Sequence, residues 1–219
     1  MASRPKQAEA RPAPRLYLVT PPVADATEFA APLAAALAAG DVAAVLLRLA
    51  AADERSLINI AKALAPVAQA KDVALLLDGH AELVARAGAD GAHLTGMAEF
   101  GAAFGILKPD RIAGVGGLAT RHDAMTAAEQ GADYVMFGEP DAEDVRPAFA
   151  AIEERVAWWA EVFEAPCVAY AASIEEVAPL VTAGADFIAL GDWIWRDSDT
   201  IAATIADAAQ HMRLPEPAA

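Results

Sequence analysis

The chain is 219 residues long and 56% hydrophobic, enough to build one large α/β domain without a second. Its 31 acidic and 16 basic side chains leave a formal charge of −15, which opposes non-specific attachment to nucleic acid or to an anionic membrane and favours a cationic or neutral partner, with a small-molecule ligand expected. Cys167 is the only cysteine and cannot form an internal disulfide, no apolar run approaches the roughly twenty residues of a membrane span, and the first residues carry Pro and charge, so a cytoplasmic protein is expected.

In chain order, residues 1–14 read as a loose tail, 15–213 as one folded unit, and 214–219 as a second tail. Short apolar runs predict strands at Leu16 to Thr20, Val42 to Arg48, Val73 to Asp78, Gly91 to Leu94, Arg111 to Val115, Tyr134 to Gly138, Cys167 to Tyr170 and Phe187 to Gly191. Helical periodicity fills the gaps, clearest at Ala24 to Ala39, Glu54 to Gln69, Thr120 to Gln130, Val145 to Glu164, Ile174 to Ala183 and Ser198 to Met212, with shorter segments near Ala81 to Ala87 and Met97 to Phe104. Gly-Ala-Asp precedes an apolar run at Gly88, Gly131 and Gly184, as expected where a left-handed glycine closes a helix and a buried parallel strand begins. Eight such pairs predict a single (β/α)8 TIM barrel at the small end of its size range. The competitor is an open doubly wound sheet, whose Gly-rich phosphate turn after the first strand is replaced by Thr20-Pro21-Pro22.

A barrel gathers the polar residues at its strand ends into one mouth: Arg48, Asp78, His80, His93, Glu139 and Asp192. Arg48 needs an acidic partner or a bound anion, so it either pairs internally with Asp78 or Glu139 or holds a ligand. His93 is either a satisfied core histidine or a group that orients a ligand. Glu139 opens the run Glu139-Pro140-Asp141-Ala142-Glu143-Asp144, which repels anions, and its later acids suit the amino end of the helix expected from Val145. Trp193 and Trp195 either wall the mouth and stack a flat ring or pack under the last helix. Trp158 and Trp159 are adjacent on one helix and point in different directions, which suggests that one covers a subunit contact.

Leu16-Tyr17-Leu18-Val19-Thr20, Leu46-Leu47-Arg48, Leu77-Asp78, Gly88-Ala89-Asp90-Gly91-Ala92-His93-Leu94 and Gly131-Ala132-Asp133-Tyr134, in this order, resemble successive landmarks of the thiamin-phosphate synthase/TenI superfamily. The resemblance covers nearly the whole barrel. It implies either a synthase that joins hydroxymethylpyrimidine diphosphate to thiazole phosphate, with Mg²⁺ assisting pyrophosphate departure, or a TenI-type enzyme that aromatises the thiazole by proton transfer. It also implies a possible homodimer. By this resemblance Arg48 is the diphosphate-binding arginine and Asp78 a metal-binding aspartate, with Glu99 one position from the place of a second.

Several expected groups are missing. The Gln-Leu-Arg-Glu-Lys of the family reads Leu46-Leu47-Arg48-Leu49-Ala50, the asparagine before the aspartate is Leu77, and the strand-five serine falls at Gly116 or Gly117. The TenI-type histidine falls at Ala119, with His122 three residues on. The Thr-x-Thr-Lys pyrophosphate loop reads Glu143-Asp144-Val145-Arg146, and the Gly-Gly phosphate cradle reads Ala171-Ala172-Ser173. Each lost charge-assisted hydrogen bond is worth on the order of 1.5–3 kcal/mol. The expectation is therefore a family barrel with a degraded phosphate site, either non-catalytic or altered in substrate. One alternative is an active synthase using Arg48, Asp78, Glu99, Arg146 and Mg²⁺. Another is a binding protein for a neutral or cationic aromatic ring, stacked by Trp193 or Trp195 with Asp78, Glu139 or Asp192 for charge, while His93 and Arg146 remain candidate substrate-binding residues.

Overall fold

The structure, a computed structural model, describes residues 12–213, so residues 1–11 and 214–219 of the expected tails lie outside the described residues. Strands β1 (Arg15–Val19), β2 (Val42–Leu47), β3 (Ala74–Asp78), β4 (Gly91–Thr95), β5 (Ile112–Gly116), β6 (Tyr134–Phe137), β7 (Cys167–Ala171) and β8 (Phe187–Leu190) pair in parallel and in chain order, and β8 closes on β1. Helices α1 (Ala26–Ala39), α2 (Glu54–Gln69), α3 (Val84–Ala87), α4 (Gly96–Leu107), α5 (Arg121–Glu129), α6 (Phe149–Val162), α7 (Val177–Thr182) and α8 (Ile201–His211) follow the strands in turn. This is the expected (β/α)8 barrel. Closure excludes the open sheet and leaves no strand edge unpaired.

Strand periodicity divides the apolar side chains between two cores. In β3, Leu75 and Leu77 join the layer between sheet and helices, whereas Leu76 points into the barrel with Tyr17, Leu46, Tyr134, Met136, Val168 and Tyr170. Strand β5 has glycine at the alternate positions 114 and 116. A Cβ at Gly114 would lie 2.0 Å from the Tyr134 ring, and one at Gly116 2.0 Å from Glu139 Oε1, so these glycines open the interior to large polar neighbours.

The Gly-Ala-Asp repeat builds one device three times. Gly88, Gly131 and Gly184 have φ of 71°, 96° and 97°. The following alanine N–H reaches back five residues, Ala89 to Val84 O, Ala132 to Ala127 O and Ala185 to Leu180 O, at 3.1, 3.0 and 3.2 Å, which satisfies the helix end. The aspartate then clasps the foot of the preceding strand. Asp90, Asp133 and Asp186 donate their backbone N–H to the carbonyls of Leu75, Ala113 and Cys167. Their carboxylates accept the N–H of those same residues at 2.8, 2.7 and 2.8 Å.

Helix α6 departs from expectation. It starts at Phe149 instead of Val145, because Pro147 biases Arg146 away from helical geometry and the preceding loop winds around Asp141. The Asp141 carboxylate accepts from Glu143 N–H and Val145 N–H, both at 2.9 Å. The acids of this loop therefore do not lie in the first turn of α6.

Replacing the Asp186 carboxylate by a methyl group strands a part-buried strand amide. Asp186→Ala is expected to cost about 1–3 kcal/mol in urea unfolding. Asp186→Asn keeps an acceptor oxygen and is expected to cost less; equal losses would show that the carboxylate's bond to Cys167 is not what matters.

Candidate active site

The polar residues converge at the carboxyl ends of the strands. Arg48 is the first residue beyond β2, and its N–H donates to Oγ1 of the fully buried Thr20 at 3.0 Å, which aims the side chain over the mouth. Its guanidinium faces Asp78 at 3.8 Å and Asp192 at 4.0 Å, and its side chain is 38% exposed. These are ion pairs at long range without hydrogen bonds, so the guanidinium donors stay available to an anion. Burial and the Glu99 carboxylate push the Asp78 carboxyl up, while Arg48 and His80 oppose the shift. Glu99 stands in the first turn of α4 and accepts Thr95 N–H at 2.6 Å. Two carboxylates thus lie within electrostatic reach beside one arginine. Among the described residues no group of three or more metal-binding side chains is assembled. A hard cation held by one or two carboxylates and substrate phosphates needs no more, so the donor set fits Mg²⁺.

His93, on β4, is 4% exposed and faces inward. Its Nδ1 lies 3.0 Å from the Tyr134 hydroxyl, which lies 2.8 Å from the Tyr17 hydroxyl. Burial lowers the imidazole to about 4 and raises both phenols, so all three groups are neutral near pH 7. The chain runs in either direction: with the imidazole hydrogen on Nε2, Tyr17 donates to Tyr134 and Tyr134 to Nδ1, and with it on Nδ1 both donations reverse. Nε2 lies 2.7 Å from where a Cβ on Gly116 would stand, next to Glu139 Oε1. Glu139 accepts Gly117 N–H, and burial raises its carboxyl to about 7 against the opposing pull of that amide, its own backbone and Arg155. A cavity of about 270 Å³ opens beside it, lined by Gly117, Leu118, Met136, Val145 and Arg155. A larger hollow of about 510 Å³ lies at the opposite, amino-terminal end between Leu16, Asp41 and Met212, away from these groups.

Arg146 is engaged elsewhere. Its Nη1 bridges both Glu176 oxygens at 2.8 and 2.9 Å, its Nε donates to Gly138 O at 3.0 Å, and its Nη2 donates to Tyr170 O at 3.2 Å. Trp193 donates from its indole to Ala171 O at 3.0 Å, and Trp195 to Val19 O at 2.8 Å while its ring packs on Phe29, so both are anchored at the mouth by protein contacts. His80 pairs loosely with Glu82 at 3.5 Å, and His122 is exposed in α5. Trp159 is fully buried, and Trp158 lies under the Arg121 guanidinium at 4.7 Å.

Sequence reasoning gathered Arg48, Asp78, His80, His93, Glu139 and Asp192 at the mouth, and the family resemblance added Glu99 and Arg146; neither pointed to Tyr17, Tyr134, Arg155 or Glu176. The alternate glycines of β5 were the available signal for the tyrosines, since they leave space that only large neighbours fill.

The raised Glu139 carboxyl sets a pH signature. Its protonated form is favoured in the folded state, so its contribution is intact below about 4.5 and is lost as pH rises toward 7. Glu139→Gln is expected to remove that loss, and melting temperatures across pH 4.5–7 should diverge, with the variant gaining on wild type as pH rises. Parallel curves would mean that the carboxyl titrates as a solvated group.

The family model described as "Thiamine monophosphate synthase" matches residues 16–194. The thiamine-phosphate synthase of Rhodospirillum centenum is 43% identical over 203 residues, covering 91% of this chain and 98% of that protein. The thiamine-phosphate synthase of Hyphomonas neptunium is 38% identical over 207 residues, covering 90% and 93%. Among solved structures, a thiamine phosphate pyrophosphorylase from Pyrococcus furiosus superposes with a TM-score of 0.74 at 21% identity, covering 90% of this chain and 95% of that one, a likeness of fold. With landmarks in order, a closed barrel and relatives matched over almost their full length, the chain belongs to the thiamine monophosphate synthase family.

Proposed function

We propose that this protein is a transferase of the thiamine-phosphate synthase type, joining hydroxymethylpyrimidine diphosphate to a thiazole acceptor. The observation that carries this reading is Arg48, its donors unspent, beside the Asp78 and Glu99 carboxylates at the barrel mouth. The full-length similarity to proteins named thiamine-phosphate synthase supports a working enzyme over a non-catalytic barrel. In the transfer, the thiazole nitrogen forms a bond to the methylene carbon, the carbon–oxygen bond to the diphosphate breaks, and the diphosphate leaves with the electron pair. Arg48 stabilises the charge that develops on the departing oxygens. Mg²⁺, held by Asp78 and Glu99, would neutralise diphosphate charge. In the tautomer that carries its hydrogen on Nε2, His93 donates to the ring bound over Gly116, with the Glu139 carboxyl beside it.

The test is turnover with hydroxymethylpyrimidine diphosphate and Mg²⁺, offering thiazole phosphate and, separately, the free thiazole alcohol, and reading pyrophosphate release. Arg48→Ala is expected to lower kcat/KM by roughly 10²-fold or more. Folded wild-type protein that releases no pyrophosphate with either acceptor would overturn the transferase reading.

A further inference from the structure

His93 is 4% exposed and spends Nδ1 on the Tyr134 hydroxyl at 3.0 Å, while no hydrogen bond among the described residues reaches its Nε2. Among the same residues no fully enclosed side-chain nitrogen or oxygen lacks a partner, so Nε2 is open to whatever enters the mouth. Gly116 gives it a neighbour. A Cβ at this position would lie 2.7 Å from Nε2 and 2.0 Å from Glu139 Oε1, so the missing side chain lets an imidazole and a carboxyl face the same small volume. Gly117 N–H holds the carboxyl in that place.

The pair lies next to the groups that would hold a diphosphate. On the parallel ladder His93 pairs with Asp78, whose carboxylate stands 3.8 Å from Arg48. The Asp78 charge also acts on Glu139 and on both interior tyrosines, so the two acids share one compartment. In hydroxymethylpyrimidine diphosphate a single methylene joins ring and diphosphate, and a diphosphate held at Arg48 and Asp78 brings the pyrimidine within reach of the neighbouring strand. The chemistry of its edge matches what waits there. The pyrimidine carries an amine beside a ring nitrogen, a donor next to an acceptor, and a carboxyl answers with a carbonyl oxygen and, when protonated, an O–H. A thiazole has no N–H, and its nitrogen must stay free to attack. Burial raises the Glu139 carboxyl to about 7, so both of its forms are present near neutrality, and the tyrosine chain runs either way, so Nε2 can donate or accept.

We propose that Glu139 is a specificity-determining residue that reads the amine and the adjacent ring nitrogen of the donor pyrimidine through paired hydrogen bonds, with His93 Nε2 facing the same ring. The identity of the ring rests on the transferase reading. The contact is non-covalent and leaves the bonds made and broken in the transfer unchanged.

Calorimetric titration tests it without turnover. Near neutral pH, wild type is expected to bind hydroxymethylpyrimidine, the donor without its diphosphate, at least about tenfold more tightly than the same alcohol lacking the amine, because a site built around a ligand N–H is left with unpaired polar groups when that N–H is missing. Glu139→Gln keeps a donor and an acceptor and is expected to retain most of the preference, whereas Glu139→Met, of similar length with neither, is expected to lose it. Arg48→Ala is expected to keep the preference, since neither alcohol carries a phosphate. Equal wild-type affinity for the two pyrimidines, no binding of either at millimolar concentration, or an undiminished preference in Glu139→Met would overturn the Glu139 assignment. The wild-type comparison decides even if Glu139→Met does not fold. A wild type that prefers the amine yet releases no pyrophosphate would overturn the transferase reading alone.

Discussion

The clasp between an aspartate and the foot of the preceding strand is the contact on which the barrel's geometry depends. Asp90, Asp133 and Asp186 each satisfy the N–H and the C=O of one residue on β3, β5 or β7 while opening the next strand. The register between strands 3 and 4, 5 and 6, and 7 and 8 is thus set at the amino-terminal end by side chains as well as by the ladder. Two of the three aspartates reach further: Asp90 O accepts Ile112 N–H and Asp186 O accepts Arg15 N–H, linking those clasps to the following strand. Chemistry at the opposite end is free to vary because it carries none of this burden.

At the carboxyl end, charge is distributed unevenly. Arg48 has acidic neighbours at 3.8 and 4.0 Å, a spacing that leaves its donors open, whereas Arg146 spends its guanidinium on Glu176 and two carbonyls. Two arginines at strand ends in the same sequence therefore do different work. One keeps its donors open over the mouth, and the other ties the loops after β6 and β7 together.

Much of this was legible in the sequence. Apolar runs and glycine punctuation located all eight strands, because doubly buried strands and helix ends impose local requirements that few residue types meet. The start of α6 was not legible, since helical periodicity runs through Val145 while the loop's own Asp141 turn and Pro147 override it. The role of Arg146 was hidden for a different reason. Glu176 lies 30 residues away, and nothing in either segment specifies that the loops after β6 and β7 bring the two together. Glu139 was found as a strand-end acid, but its raised carboxyl depends on burial, which only the packed mouth supplies.

The chain of Tyr17, Tyr134 and His93 has an electrical consequence. With an imidazole lowered to about 4 and phenols raised above their ordinary range, these three groups hold the same net charge throughout the interval in which cells operate. The centre of the molecule is a fixed dipolar array that does not respond to proton concentration there. Within the mouth, acid–base sensitivity around neutrality then falls to neighbouring carboxyl groups such as Glu139 and to whatever ligand they face.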